Sequence, residues 1–347
     1  MLAPREAGFR MPAEWSPHRA TWLAWPSHAE LWQDNLEGAR DAFCRLALAV
    51  SEGEFVDVLV MGEDNEKAAR AALASPRIRF HRAAFGDIWL RDTGPLFVRG
   101  ANGEVAAACP SFNGWGGKYV LEHDAGVSRH IAKLAVGPAV FSVPFVLEGG
   151  ALEVDGAGTV LTTRQCMLHG HRNDHMLQTE IERRLLEAVG ASKALWLGQG
   201  LQNDHTDGHV DTLARFVRPG VVVAMEPRTS DDPNVASLRA VLRDLRTMSD
   251  AAGRPLDVET VPSPGRVVDG EGRPLPASYV NFYIANGCVV VPTYGCVFDD
   301  EAVERIGALF PGRRTVAVDS RALLTGGGAI HCITQQQPEA GGEPAPR

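Results

Sequence analysis

The sequence predicts an α/β protein built from repeated strand and helix units in a single domain. Short apolar runs rich in β-branched residues alternate with helix-like segments from end to end. No Ser/Gly tract or long charge block interrupts the alternation, so no linker divides the chain. A chain of 347 residues exceeds what one simple core needs, which leaves two domains or one large closed α/β architecture. Continuity of the pattern favours the second. No sequence repeat is visible, so any internal symmetry is structural only.

Strands are expected at residues 55–61, 139–147, 159–163, 221–225, 279–284, 288–291 and 315–318. Helices are expected at 35–51, 65–74, 127–134, 174–189, 234–252 and 300–309. Asp174 opens its helix as a cap-like residue and Gly190 stands just past its end. Asp232, Pro233 and Asn234 form the turn signal ahead of the next helix. After residue 337 the run PEAGGEPAPR has the composition of a disordered tail, so the domain is taken as 1–337 and the tail as 338–347.

Composition narrows the function classes. Hydrophobic residues make up 45% and charged residues 22%, as in soluble globular proteins. The N-terminal MLAPREAGF lacks the apolar stretch of a signal peptide, and no apolar run approaches the ~18 residues of a membrane span. A cytoplasmic protein without a membrane partner is expected. The net charge is −9 with no dense Lys/Arg cluster, which argues against nucleic acid. Six cysteines occur, none in a CxxC pair, so zinc ribbons and redox motifs are not indicated. Cys44 and Cys288 read as small buried hydrophobes.

Chemistry-bearing residues gather at turns. In GGGAIHC, three glycines precede Cys332 and allow close backbone approach to a ligand. In NDHTDGHVD, His205, Asp207, His209 and Asp211 share one face if the segment is extended, and such a face is costly to bury unpaired. Metal ligation and acid–base work are both open for it. DIWLRDTGP brings Asp87, Trp89, Arg91 and Asp92 together, and LEGG places Glu148 at the end of an apolar run. The run HGHRNDH, with His169, His171 and His175, could add metal ligands but matches no recognised spacing, and reads as a polar loop.

The ordered set MPAEWSPHRATWLAWP, WLRDTGP, FNGWGG, LEGG, DHTDGHVD, YVNFYIANG and GGGAIHCITQQ resembles the agmatine deiminases of the guanidine-modifying superfamily. The resemblance runs from about residue 11 to 338. It implies a five-bladed α/β propeller of pseudo-fivefold ββαβ units around a central site. By position it implies Cys332 as nucleophile, His209 as general acid/base, Glu148 as the carboxylate that orients it, and Asp92 with Asp211 as the guanidinium clamp. Trp89 matches a pocket aromatic, and Asp87, Trp115, His205, Asp207 and Gly328 are placed around the substrate with it. Position 205 carries an acid in several family members and a histidine here, so Asp207 or Asp204 is expected to meet the distal ammonium.

These residue types suit the chemistry. A guanidinium is always protonated, and two carboxylates can hold its planar N–H array by charge-assisted hydrogen bonds. Those carboxylates should raise the thiol pKa, and a bound cation should lower it again. Thiolate attack gives a neutral adduct, so acceptors rather than an oxyanion hole should line the site. The expected ligand is a small cationic guanidino substrate, with no cofactor and no metal. Peptidyl-arginine is the alternative substrate. A metal-dependent hydrolase and a non-catalytic binding protein are the rival classes. A homo-oligomer is compatible with the sequence, which carries no signal for a particular state.

Overall fold

In a computed structural model that describes residues 2–341, sixteen strands form five small sheets. The first combines β1 (His18–Ala24), β2 (Phe55–Val60) and β3 (Ile78–Arg82) with the last strand, β16 (Gln335–Pro338), in the order β16-β1-β2-β3. The second holds β4 (Leu96–Arg99), β5 (Val105–Ser111) and β6 (Val140–Val146). The third holds β7 (Leu152–Val154), β8 (Thr159–Thr163) and β9 (Lys193–Leu197). The fourth holds β10 (Ala214–Arg218), β11 (Val221–Glu226) and β12 (Asp257–Pro262), and the fifth β13 (Tyr283–Ile284), β14 (Cys288–Thr293) and β15 (Arg314–Asp319).

Every sheet repeats one pattern: an antiparallel pair followed by a parallel pair. Parallel neighbours need a crossover, and a helix supplies it. The crossovers are α1 (Leu36–Ser51), α3 (Asp124–Val136), α4 (Gln178–Val189), α5 (Val235–Leu245) and α6 (Asp299–Ala308), while α2 (Glu63–Ala72) links β2 to β3. Middle strands are covered on both faces, so β11 (VVVAME) and β14 (CVVVPT) are almost continuously buried. Helix α1 buries Phe43, Leu46, Ala47 and Val50, and Phe43 meets the Trp25 ring edge-on at 5.4 Å. Truncating such a buried Phe to Ala costs about 3–5 kcal/mol.

Several expectations shift. Helix α4 starts at Gln178 rather than 174, because Asn173 spends its side chain on Val146 N and O and holds the preceding loop off the helix axis. Its stop is as expected, with Gly190 left-handed at φ 67°. Helix α5 ends at Leu245 rather than 252, because Asp250 accepts from Ala252 N and Arg254 N and turns the chain through Gly253. Of the run 279–284 only Tyr283–Ile284 pairs as a strand, since Asn281 O accepts from His331 N instead. At the C-terminus, Pro338 is the last residue of β16 and pairs with His18, and Gly341 N donates to Gly103 O. The rest of the expected tail, 342–347, lies outside the described residues. No helix among the described residues is long and apolar enough to cross a membrane.

The topology gives each sheet one equivalent place: the segment just before its antiparallel entry strand. Asp92 precedes β4, Glu148 precedes β7, His209 and Asp211 precede β10, Asn281 precedes β13 and Cys332 precedes β16. Neighbouring segments touch in series. Arg91 N donates to Cys332 O at 3.1 Å, Gly149 abuts Arg91 O, and Glu148 faces His209. Asn281 Nδ2 lies 3.5 Å from Asp211 O, and His331 N donates to Asn281 O at 3.0 Å, which returns the series to Cys332.

Candidate active site

Three of these segments, through Asp92, through His205 and Thr206, and through Cys332, line a cleft of about 220 Å³, while His209, Asp211 and Asn281 line a smaller adjoining cavity that shares Cys332. Trp32, Trp89, Trp115 and Tyr119 wall the cleft, Asp87 and Asp92 are its carboxylates, and Cys332 lines it. The walls are held by the acids. Asp87 accepts from the indoles of Trp89 (2.8 Å) and Trp32 (3.1 Å), and Asp92 accepts from that of Trp115 (2.8 Å). Trp115 sits in the left-handed region, φ 52° and ψ 51°, within a Gly-rich turn capped by Asn113. Non-glycine residues adopt that conformation at a cost, and here it turns the ring onto Asp92.

Cys332 is 6% exposed. Its Sγ lies 3.3 Å from Asn281 Nδ2 and 3.9 Å from Asp211 Oδ2. Burial, and then the Asp211 and Asp92 charges, push the thiol well above its ordinary value. The sequence pointed to the carboxylates; burial is the larger cause. Gly328 is required by contact: a methyl there would lie 2.6 Å from the Trp89 ring and 3.1 Å from Cys332 Sγ.

His209 stands between two acids. Its Nδ1 is 3.7 Å from Asp92 Oδ1 and its Nε2 is 3.6 Å from Glu148 Oε2. Burial alone would lower His209, but Asp92, Cys166 and Glu148 beside it raise it well above the ordinary imidazole value. Glu148 is pushed up by burial, yet His209 and Arg172 hold it below the ordinary carboxylate value. Arg172 Nε reaches both Glu148 oxygens at 2.9 Å. Asp92 is raised, chiefly by burial. Gly150 marks where three groups converge: a methyl there would lie 2.5 Å from His209 Nδ1, 2.9 Å from Asp92 Oδ1 and 3.1 Å from Asp211 Oδ2.

Asp211 is wholly buried, and burial pushes it up, but His331 outweighs that and holds it below its ordinary value. His331 Nδ1 lies 2.7 Å from Asp211 Oδ2, and Nε2 lies 2.8 Å from Glu14 Oε2. Burial raises Glu14, but Arg215, His331 and Arg91 bring it well below the carboxylate range. The ring thus bridges the two carboxylates, with one nitrogen on each. Asp211 Oδ1 has no hydrogen-bond partner among the described residues.

The extended reading of NDHTDGHVD is corrected. The segment turns at Asp207 (φ 63°) and Gly208 (φ 88°), with Asp204 accepting from Thr206 N and Gly208 N. His209 and Asp211 enter the centre, whereas Asp207 pairs with Arg172 at 2.6 Å and Lys118 at 2.8 Å. Neither Asp207 nor Asp204 lines the cleft; His205 does, exposed and stacked near Tyr119. In HGHRNDH, His169, His171 and His175 stay at the surface or partly exposed, while Arg172 is buried against Glu148. Sequence reasoning missed Arg172, Asn281 and His331. The one available signal was a lone arginine in a histidine-rich loop. Among the described residues one group has metal-ligand geometry: Glu148, Cys166 and His209.

Comparison with known proteins finds relatives over nearly the whole chain. Residues 10–338 match the family model for Porphyromonas-type peptidyl-arginine deiminase. An agmatine deiminase of Stutzerimonas stutzeri is 41% identical over 357 residues, covering 96% of this chain and 97% of its own. An agmatine deiminase of Pseudomonas aeruginosa is 40% identical with the same coverage. The solved agmatine deiminase of Enterococcus faecalis superposes with a TM-score of 0.91 at 34% identity, covering 98% of each chain. One from C. jejuni, solved with substrate bound, gives 0.87 at 27% identity, covering 96% of this chain and 97% of that one. With a buried Cys–His–carboxylate centre on the matching α/β fold, the chain belongs to the Porphyromonas-type peptidyl-arginine deiminase family, alongside proteins named agmatine deiminase.

Proposed function

We propose that the chain hydrolyses agmatine to N-carbamoylputrescine and ammonia through a covalent amidino-cysteine. The observation that carries this is the convergence of Asp92, His209 and Asp211 on one point beside Cys332, whose thiol lines a tryptophan-walled cleft. Asp92 and Asp211 grip the guanidinium by charge-assisted hydrogen bonds and present its carbon to Sγ. Burial and the two carboxylates hold the thiol protonated; the bound cation offsets the carboxylates, so Cys332 releases its proton to solvent as substrate binds. Attack gives a neutral tetrahedral adduct. His209, charged beside Asp92 and Glu148, gives its proton to the departing nitrogen, and ammonia leaves. The amidino-thioether cation stays between the same carboxylates. His209, now neutral, takes a proton from water, which attacks the carbon, and collapse of the neutral adduct forms the carbonyl and expels the Cys332 sulfur, the hydroxyl proton restoring the thiol.

For the distal ammonium, Asp87 is the acid this cleft supplies. Its hydrogen-bond donors are the indoles of Trp32 and Trp89 and the N–H of Ile88, all neutral, and burial raises it. A buried carboxylate served by neutral donors gains from a cationic ligand. The five sheets form the blades of an α/β propeller; the shared pairing pattern, the closure of β16 on β1 and the serial contacts of the five entry segments support this. Ammonia release from agmatine, with Cys332→Ala as control, tests the reaction, and kcat/KM compared across agmatine, arginine and a blocked peptidyl-arginine tests the substrate. Preference for the peptide, or activity that survives thiol alkylation and vanishes with a chelator, refutes the reading.

A further inference from the structure

No step of the proposed reaction uses Cys166, although its buried thiol stands beside the general acid/base. We propose that Glu148, Cys166 and His209 form an inhibitory site for a thiophilic divalent cation of the Zn²⁺ and Cd²⁺ class. The ligand atoms of the three residues all lie within 4.8 Å of one another. Glu148 Oε2 is 3.8 Å from Cys166 Sγ and 3.6 Å from His209 Nε2. Ligands held tetrahedrally at about 2.0–2.3 Å from zinc stand roughly 3.3–3.7 Å apart, so the two pairs that Glu148 makes are already near that spacing. One sulfur, one imidazole nitrogen and one carboxylate oxygen match the preference of a borderline-soft cation.

The second observation is His209 Nε2 itself. It is buried, it has no hydrogen-bond partner among the described residues, and the Glu148 oxygen facing it is just beyond hydrogen-bond length. The donors are also pre-positioned. Thr163 Oγ1 accepts from Cys166 N, Thr206 Oγ1 accepts from His209 N, and Arg172 fixes Glu148 through both oxygens. Arg172 opposes a cation at this place. Glu148, Asp92 and the Cys166 thiolate provide three negative charges against it, so a divalent ion leaves the cluster near neutrality. Binding forms the metal–sulfur bond as the Cys166 thiol loses its proton to solvent.

The ion would occupy the edge of the His209 ring turned away from Asp92 and displace its pairing with Glu148. The ring could then no longer give and regain a proton. Cation binding does not depend on the deimination reading; only its effect on rate does.

The test separates the two. Cd²⁺ is titrated into Cys332→Ala protein, which lacks the proposed nucleophile, and the ultraviolet sulfur-to-cadmium charge-transfer band is followed. A saturable band at one equivalent is expected, lost in Cys332→Ala/Cys166→Ser and in Cys332→Ala/His209→Asn. With the nucleophile intact, Zn²⁺ should inhibit ammonia release reversibly by chelator, and Cys166→Ser should weaken that inhibition at least tenfold. A band unchanged by removing Cys166 or His209, or equal inhibition with and without Cys166, places the metal elsewhere and overturns the proposal. Cys166→Ala is the alternative if the serine variant does not fold, and melting curves of each variant establish that the fold is kept. If agmatine is not the substrate, the cadmium band still reports on the site.

Discussion

Replacing His331 separates hydrogen bonding from packing in the guanidinium clamp. The ring bridges Asp211 and Glu14, with Nδ1 2.7 Å from Asp211 Oδ2 and Nε2 2.8 Å from Glu14 Oε2, and all three residues are buried. His331→Leu fills similar space and removes both contacts. His331→Asn is smaller, but its amide nitrogen can stand near the lost Nδ1 and keep Asp211 in place. A hydrogen bond to a charged group contributes about 1.5–3 kcal/mol, so an Asp211 freed to rotate should lower kcat/KM by roughly 10- to 150-fold. Most of the loss should be in KM, because the clamp acts on the bound cation. Both variants leave Glu14 with the Arg91 and Arg215 pairs, at 3.1 and 2.8 Å, so the fold should persist with a lowered Tm. Ammonia-release kinetics and thermal melts are run on both. Asn should exceed Leu in kcat/KM; a Leu variant as active as the Asn variant would show that the ring matters for volume alone and refute the clamp reading.

Three further outcomes are expected. Asp87→Asn should raise KM for agmatine by about tenfold while leaving a guanidine that lacks the distal ammonium almost unaffected; equal changes for both refute Asp87 as the ammonium partner. Gly150→Ala should lower ammonia release at least 100-fold in a protein that still folds, since its methyl would lie 2.5 Å from His209 Nδ1; wild-type rates would contradict the convergence at that point. Asp124 is raised to about 6, chiefly by burial, and its Oδ2 has no partner among the described residues. A raised carboxylate pKa means that ionised Asp124 destabilises the fold increasingly from about pH 4 to pH 6 and constantly above. Asp124→Asn should therefore stabilise by roughly 2–3 kcal/mol at pH 8 and by almost nothing near pH 4, read from denaturant melts; a gain independent of pH refutes the cause.

Period and turn chemistry made much of the molecule legible in the sequence. The strand at residues 159–163 and the stop of α4 at Gly190 stand where expected, because buried β-branched runs and a left-handed glycine are local signals. Short entry strands such as β7 and β13 carry too few residues to show alternation. Cys332, His209, Glu148, Asp92 and Asp211 are named in the sequence only through the resemblance, and their segments meet because each precedes the entry strand of a different sheet.

The sequence by itself determined the alternating α/β architecture, the residue types of the site and the class of cation they suit. Only the tertiary structure decided which groups of one motif act together. His209 and Asp211 turn inward while Asp207 is taken by Arg172 and Lys118, because the backbone reverses at Asp207 and Gly208. His331, adjacent to the nucleophile in sequence, faces Glu14 from the opposite end of the chain. Those pairings are long-range electrostatic contacts, and they depend on burial, which no local window of the sequence contains.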